Sequence, residues 1–440
     1  MLRHFFPFLA DWVSRLPDPR IGSRTTYSVE HLFFYGLSLF LLQLGSRRQL
    51  RAERDGKFFL DNLLSLSGSD EKYAADSDTL NYLMEKMPPE GLEEITWKLV
   101  RVLIRKKVLD DFRFNGDFLV AVDGSRILTF NEKHCDRCLT RKHENGSVTY
   151  FHYMLEAKLV TMPGLALSIA SVPVENKDGK YDKQDCELNA FYRLAPILKR
   201  RFPRLHICVL LDGLYANQFV PEICNKYKWK YFITLKDGSL PTVNKEASRK
   251  MARHPGNNLD VLKKDGRRQM LKWACGINYN SLRLNVISCD ESKGEDILGV
   301  FRYLSSYQPD KSNIQELMEG GRARWKIENE GFNTQKNGGY GLEHNYGAKG
   351  FAWKNYYFLI QIAHLIMQLT EKSDIYSKFN RILNPDKSTC NQPAPTICSA
   401  YGSLKSFVMR LRESFSTALI RSDFIINTFA PSIQIRMNTS

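Results

Sequence analysis

Apolar positions recur at helical spacing through the first 112 residues, then give way to short, continuously apolar runs. A helix over 28–44 opens on Ser28 as its cap, and a second starts at Asp76 and stops at Pro88-Pro89. A third, over 91–108, ends in a basic stretch at 101–107. From about residue 113 the texture predicts strands at 118–122, 150–160 and 164–174. Then come a helix at 184–200, a strand at 205–211, a helix at 215–226 and a strand at 230–235. That order predicts an α/β fold, a mixed sheet flanked by helices. Between 237 and 296 the pattern loosens into charged turns and short strands at 269–275 and 282–288, a β-rich insertion. A strand over 297–306, a helix over 312–336 and an apolar helix over 353–370, expected to pack on the sheet, follow. The domains predicted are an N-terminal helical domain (1–112), an α/β domain (113–236 with 297–370), the insertion (237–296) and a C-terminal region (371–440), the candidate for dimerisation. Within that last region only 407–419 is clearly amphipathic.

Composition narrows the function. The chain has 440 residues, and 43% hydrophobic content can fill a sizeable core. A net charge of +15 suits a polyanionic partner, although a basic solvated surface would give the same total. Nine cysteines fit a reducing compartment better than a disulfide framework. Asp11, Arg15 and Asp18 interrupt the N-terminal apolar residues, so no secretory signal is expected. The apolar run 32–44 is too short to span a bilayer. A cytoplasmic, nucleoid-associated protein without a membrane partner is expected.

Three carboxylates carry the candidate chemistry. Asp123 follows the apolar run 118–122, Asp212 follows 205–211, and Glu328 lies on the helix over 312–336. Brought together, they could hold two Mg²⁺ ions, with Mn²⁺ as a substitute, for phosphodiester chemistry. Strand ends are rigid places for such ligands. Arg324 lies one turn before Glu328 and Lys336 about two turns after it, where they could touch phosphates. Each aspartate precedes a glycine and alone would read as a turn former, and Glu328 alone as an exposed helical residue. Glu330 rivals Glu328 as the third carboxylate. The two lie about 200° apart around an α-helix, so only one is expected to face the aspartates.

In this order, Ala121-Val-Asp-Gly-Ser, Leu210-Leu-Asp-Gly-Leu-Tyr-Ala and Arg324-Trp-Lys-Ile-Glu328 resemble a DDE transposase of the insertion-sequence 4 type. The resemblance covers roughly residues 113–370, and Lys183-Gln-Asp-Cys-Glu187 loosely matches a stretch before the second aspartate. The family's third motif reads tyrosine, two residues, arginine, three residues, glutamate, six residues, lysine. Here Gly321 replaces the tyrosine. Lys336 falls one position late counted from Glu328 and one early counted from Glu330. The resemblance implies a ribonuclease-H-like catalytic domain, with Asp123, Asp212 and Glu328 as catalytic metal ligands. It also implies DNA as the partner, at terminal inverted repeats and target, and a homodimer acting on paired ends.

Arg47, Arg48, Lys106 and Lys107 are the candidate DNA contacts of the helical domain, with plain scaffolding as the alternative. Cys135 and Cys138, with His143 and His152 downstream, would suit either a zinc knuckle or free thiols in a loop. Cys186, Cys208 and Cys224 read as core residues. A glycine-rich loop at 338–347 offers Tyr340 and His344 towards DNA. No Walker or dinucleotide fingerprint is present, so no nucleotide cofactor is expected. The competing functions are a nuclease that cuts without strand transfer and a non-catalytic, transposase-derived DNA-binding protein.

Overall fold

The computed structural model describes residues 2–176, 184–373 and 397–419. Lys183 and most of the proposed dimerisation region lie outside the described residues. The chain is α/β, with a ten-stranded mixed sheet flanked by helices. Its strands are β1 (Phe118–Phe130), β2 (Leu139–Lys142), β3 (Val148–Val160), β4 (Ala166–Val174), β5 (Ile207–Leu211), β6 (Lys230–Thr234), β7 (Asn258–Leu262), β8 (Arg267–Tyr279), β9 (Leu282–Lys293) and β10 (Asp296–Ser305). They lie in the order β2-β3-β1-β5-β6-β10-β9-β8-β7, with β4 paired to β3. β1, β5 and β6 run parallel. β10 joins β6 antiparallel and carries the meander β7–β9 with it.

Two compact units divide the chain. One comprises Met1–Asp111, Arg126–His152 and Phe332–Ser440; the other comprises Phe112–Ser125 and Tyr153–Gly331. The first is mainly helical. Ser28 caps helix Val29–Leu41 by accepting from the N–H of His31, and Asp76 caps Ser77–Lys86 through the N–H of Asp78. Helix Ala352–Lys372 is apolar nearly all round and packs against Val29–Leu41, Ser77–Lys86 and Glu90–Arg105. Its main partners are therefore these helices rather than the sheet, and this groups residues 332–373 with the N-terminal helices. Buried Phe33, Leu37, Leu99 and Leu359 belong to this core. Among the described residues no helix is long and apolar enough to cross a membrane.

In the second unit β5 is wholly buried, as its continuous apolar run requires. The segment 237–296 differs from expectation in two ways. It contains a helix, Pro241–Arg253, which proline opens, and its strands extend the sheet beyond β10. Nor is the helix over 312–336 one α-helix. Ile314–Arg322 is α-helical, Ile327–Asn333 is π-helical and Thr334–Asn337 returns to α. Close packing at glycines accompanies the break. A Cβ on Gly321 would meet the Tyr303 ring at 3.0 Å, and one on Gly331 would meet Lys158 Cδ at 3.1 Å.

Candidate active site

The two aspartates are set by strand register. Phe118 to Ala121 pair in parallel with Ile207 to Leu210 at a constant offset of 89 residues, and Asp212 follows Asp123 by the same 89. Both lie two residues past the last paired positions, on neighbouring strands that run about 4.8 Å apart. Asp123 does not end its strand as expected: β1 continues to Phe130, and only its pairing with β5 stops at Ala121. The Asp123-Gly124 pair is thus no turn. Gly124 is required because a Cβ there would run into the ring of Tyr153 on β3. Asp212 does begin a turn. Its Oδ1 accepts from the N–H of Leu214 at 2.8 Å and caps the 3₁₀ turn Gly213–Tyr215.

Glu328 reaches the first aspartate through an arginine. Arg324 Nη1 is 3.1 Å from Glu328 Oε1 and 3.4 Å from Asp123 Oδ2. Arg324 is nearly buried, whereas the Asp123, Asp212 and Glu328 side chains are 20%, 30% and 38% exposed. Glu330 points elsewhere. It pairs with Lys326 at 2.7 Å and lies against Gly164, in the turn between β3 and β4. Burial pushes the Asp123 carboxyl up to about 7; Arg324 and the Gly124 N–H oppose this, and nearby Glu328 reinforces it.

The sequence reading missed several neighbours. Lys236, just past β6, lies 3.5 Å from Asp212 Oδ2. Glu187 accepts from the hydroxyls of Tyr153 and Tyr215. Burial raises the Tyr215 hydroxyl well above its ordinary value, and Glu187, Asp212 and Asp123 add to the effect. A cavity of about 360 Å³ opens beside these groups, lined among others by Asp212, Lys236, Arg302, Tyr303, Arg324 and Trp325. Trp325 is 47% exposed, and the Arg324 guanidinium lies 4.7 Å from its ring centre. The only signal in the sequence for Lys236 was its position directly after a strand.

The remaining candidates are placed as follows. Arg47 pairs with Asp78 at 3.1 Å, and Lys106 donates to the carbonyls of His4 and Phe5. Arg48 and Lys107 are exposed. Lys336 pairs with Glu343 at 2.7 Å. Tyr340 is buried against His364, so it is not offered towards DNA. Cys208 and Cys224 are core residues, but Cys186 is exposed at the start of helix Glu187–Arg201.

Among the described residues, one trio of metal-ligating side chains brings its ligand atoms within 4.8 Å of one another: Cys135, Cys138 and His152. Asp123, Asp212 and Glu328 are spaced more openly. Compared with models of known protein families and with curated proteins, the chain matches none.

Proposed function

We propose that this chain is a DNA transposase with a ribonuclease-H-like catalytic domain, cutting transposon ends and joining them to target DNA. The observation that carries this reading is the register of β1 and β5, which sets Asp123 beside Asp212, together with the Arg324 link from Asp123 to Glu328. The strand order β4-β3-β1-β5-β6, with β1, β5 and β6 parallel, supports the ribonuclease-H-like assignment.

The donor set suits Mg²⁺. All three side chains offer oxygen, each is partly open to solvent, and a guanidinium already spans two of them as a cation. Asp123, Asp212 and Glu328 would hold two such ions, which supply an activated oxygen nucleophile and neutralise charge on the leaving oxygen. The protein's own residues do the positioning. The Leu214 N–H fixes Asp212 Oδ1 and leaves Oδ2 directed at Lys236. Lys236, Arg302 and Arg324 give the neighbouring cavity the charge to hold a phosphate, and Trp325 offers a ring face to a base. With the carboxylates holding cations, the Arg324 guanidinium would be left to meet a DNA phosphate at the cavity it lines. Two copies acting together on paired ends complete the proposal.

The test uses the full chain, Mg²⁺ and DNA spanning the sequences on either side of the gene. Cleavage followed by joining of the freed 3′-hydroxyl, lost in Asp123→Asn and Asp212→Asn, is expected. Cleavage without joining would make the protein a nuclease. Undiminished cleavage in either variant would overturn the assignment of these residues.

A further inference from the structure

The hairpin arm formed by the end of β1, β2 and the start of β3 carries a second cluster that the carboxylate chemistry does not use. Cys135 and Cys138 sit on the connection between β1 and β2, where the N–H of Cys138 turns back to the carbonyl of Cys135 at 3.4 Å. His152 reaches them from β3. The two sulfurs are 3.4 Å apart, and each lies 3.9 Å from His152 Nε2. Tetrahedral zinc, with Zn–S of about 2.3 Å and Zn–N of about 2.0–2.1 Å, sets such ligand atoms about 3.5–3.8 Å apart. The cluster is therefore already close to the dimensions of a zinc shell. A disulfide would need the sulfurs at about 2.05 Å and would leave the imidazole without a role.

The surroundings favour a bound ion over two free thiols. His152 is 2% exposed and Cys138 fully buried. The imidazole is held flat against Trp353 at 4.5 Å between ring centres and edge-on to Phe130 at 5.9 Å. Among the described residues its Nδ1 is buried with no hydrogen-bond partner, and Nε2 lies against the two sulfurs. A buried imidazole whose polar contacts are two weak sulfur partners goes largely uncompensated, and an ion on Nε2 supplies what is missing. Cys135 is only partly buried, which leaves a solvent side to the cluster.

We infer that Cys135 Sγ, Cys138 Sγ and His152 Nε2 form a zinc(II) site, with a water as the fourth ligand, that ties the β1–β2 connection to β3. The site links residues 14 and 17 positions apart and so cross-links the hairpin arm.

The test uses untagged, reduced, full-length protein stripped with chelator and titrated with zinc(II) against a chromophoric competitor. One equivalent per chain, bound tighter than micromolar, is expected. Cobalt(II) should give the intense bands of a tetrahedral thiolate site. Cys135→Ser and His152→Ala should each weaken zinc binding at least tenfold. Cys275→Ser, at a thiol outside the cluster, should not. Cys135→Ser is the decisive variant, because its side chain is partly exposed and circular dichroism can verify its fold. Absence of sub-micromolar binding, or unchanged affinity in folded Cys135→Ser, would overturn the site.

Discussion

Arg324 joins Asp123 to Glu328 through a single guanidinium nitrogen, 3.4 Å from one carboxylate and 3.1 Å from the other. The arginine is nearly buried, and its guanidinium holds the two acids near each other. On the proposed reading this is the resting state of a metal site. Asp123 and Glu328 share one guanidinium, which offsets the repulsion between them.

The position of Asp123 depends on the glycine after it. A Cβ on Gly124 would enter the Tyr153 ring. Gly124→Ala should destabilise the chain by about 1–3 kcal/mol, the range for overpacking, and displace Asp123 from its register. Removing the obstruction in Gly124→Ala/Tyr153→Ala should recover part of that loss, read as the coupling in a thermal-denaturation double-mutant cycle. If Gly124→Ala melts like the parent, the packing against Tyr153 does not set this position.

Much of this was legible in the sequence, and the gaps have physical causes. The cap at Ser28 and the helix start at Asp76 were readable because side-chain capping is local chemistry. Neither aspartate stood out alone, since an aspartate before glycine is an ordinary turn signal; their order along the chain with Glu328 singled them out. The pairing of β1 with β5 was not legible, since register is decided between segments almost ninety residues apart. The full length of β1 was hidden because Asp123-Gly-Ser-Arg interrupts the apolar run while the strand continues. The π-helical stretch Ile327–Asn333 was not legible either, because a π turn takes one more residue than an α turn and the pattern was read at α spacing. The burial of Tyr340 and the Lys236–Asp212 pair both depend on tertiary packing that no local pattern encodes.

The basic residues of the helical region divide by what they already hold. Arg47 and Lys106 make contacts within the fold, whereas Arg48 and Lys107 are exposed. Arg48→Ala/Lys107→Ala should therefore leave the melting temperature unchanged while weakening DNA binding. The slope of log affinity against log salt should fall by about 0.9 for each phosphate that is no longer neutralised. An unchanged slope would make these residues ordinary surface.

The start of helix Val29–Leu41 should make stability sensitive to acid. Burial alone would raise the Glu71 carboxyl, but hydrogen bonds from Ser28 and Ser69 prevail and bring it down to about 2. A depressed folded-state value means that its stabilisation is present above the ordinary 4.5 and is lost as pH falls through 2. Glu71→Gln should lower stability at neutral pH by about 1.5 kcal/mol, the low end for hydrogen bonds to a charged group. The gap from the parent should narrow as pH drops below 4.5. A gap constant from about pH 7 to about pH 3 would show that the ionised form is not what stabilises this helix.

The two glutamates of the π-helical stretch offer the sharpest comparison. Glu328 shares Arg324 with Asp123, whereas Glu330 is engaged by Lys326 and lies against Gly164. Glutamine preserves the shape of either side chain and removes the charge that would bind a cation. Glu328→Gln should reduce Mg²⁺-dependent cleavage of end DNA by at least a hundredfold while sparing DNA binding. Glu330→Gln should keep most activity and reveal itself in stability instead, because it weakens the pairing with Lys326. Arg324→Ala separates positioning from metal binding. It should lower cleavage about 10²–10³-fold, as expected when a charge-stabilising donor is removed, and should raise the Mg²⁺ concentration needed less than Glu328→Gln does. If Glu330→Gln abolishes cleavage and Glu328→Gln does not, the metal role passes to Glu330, and the arginine-linked pair is a structural brace.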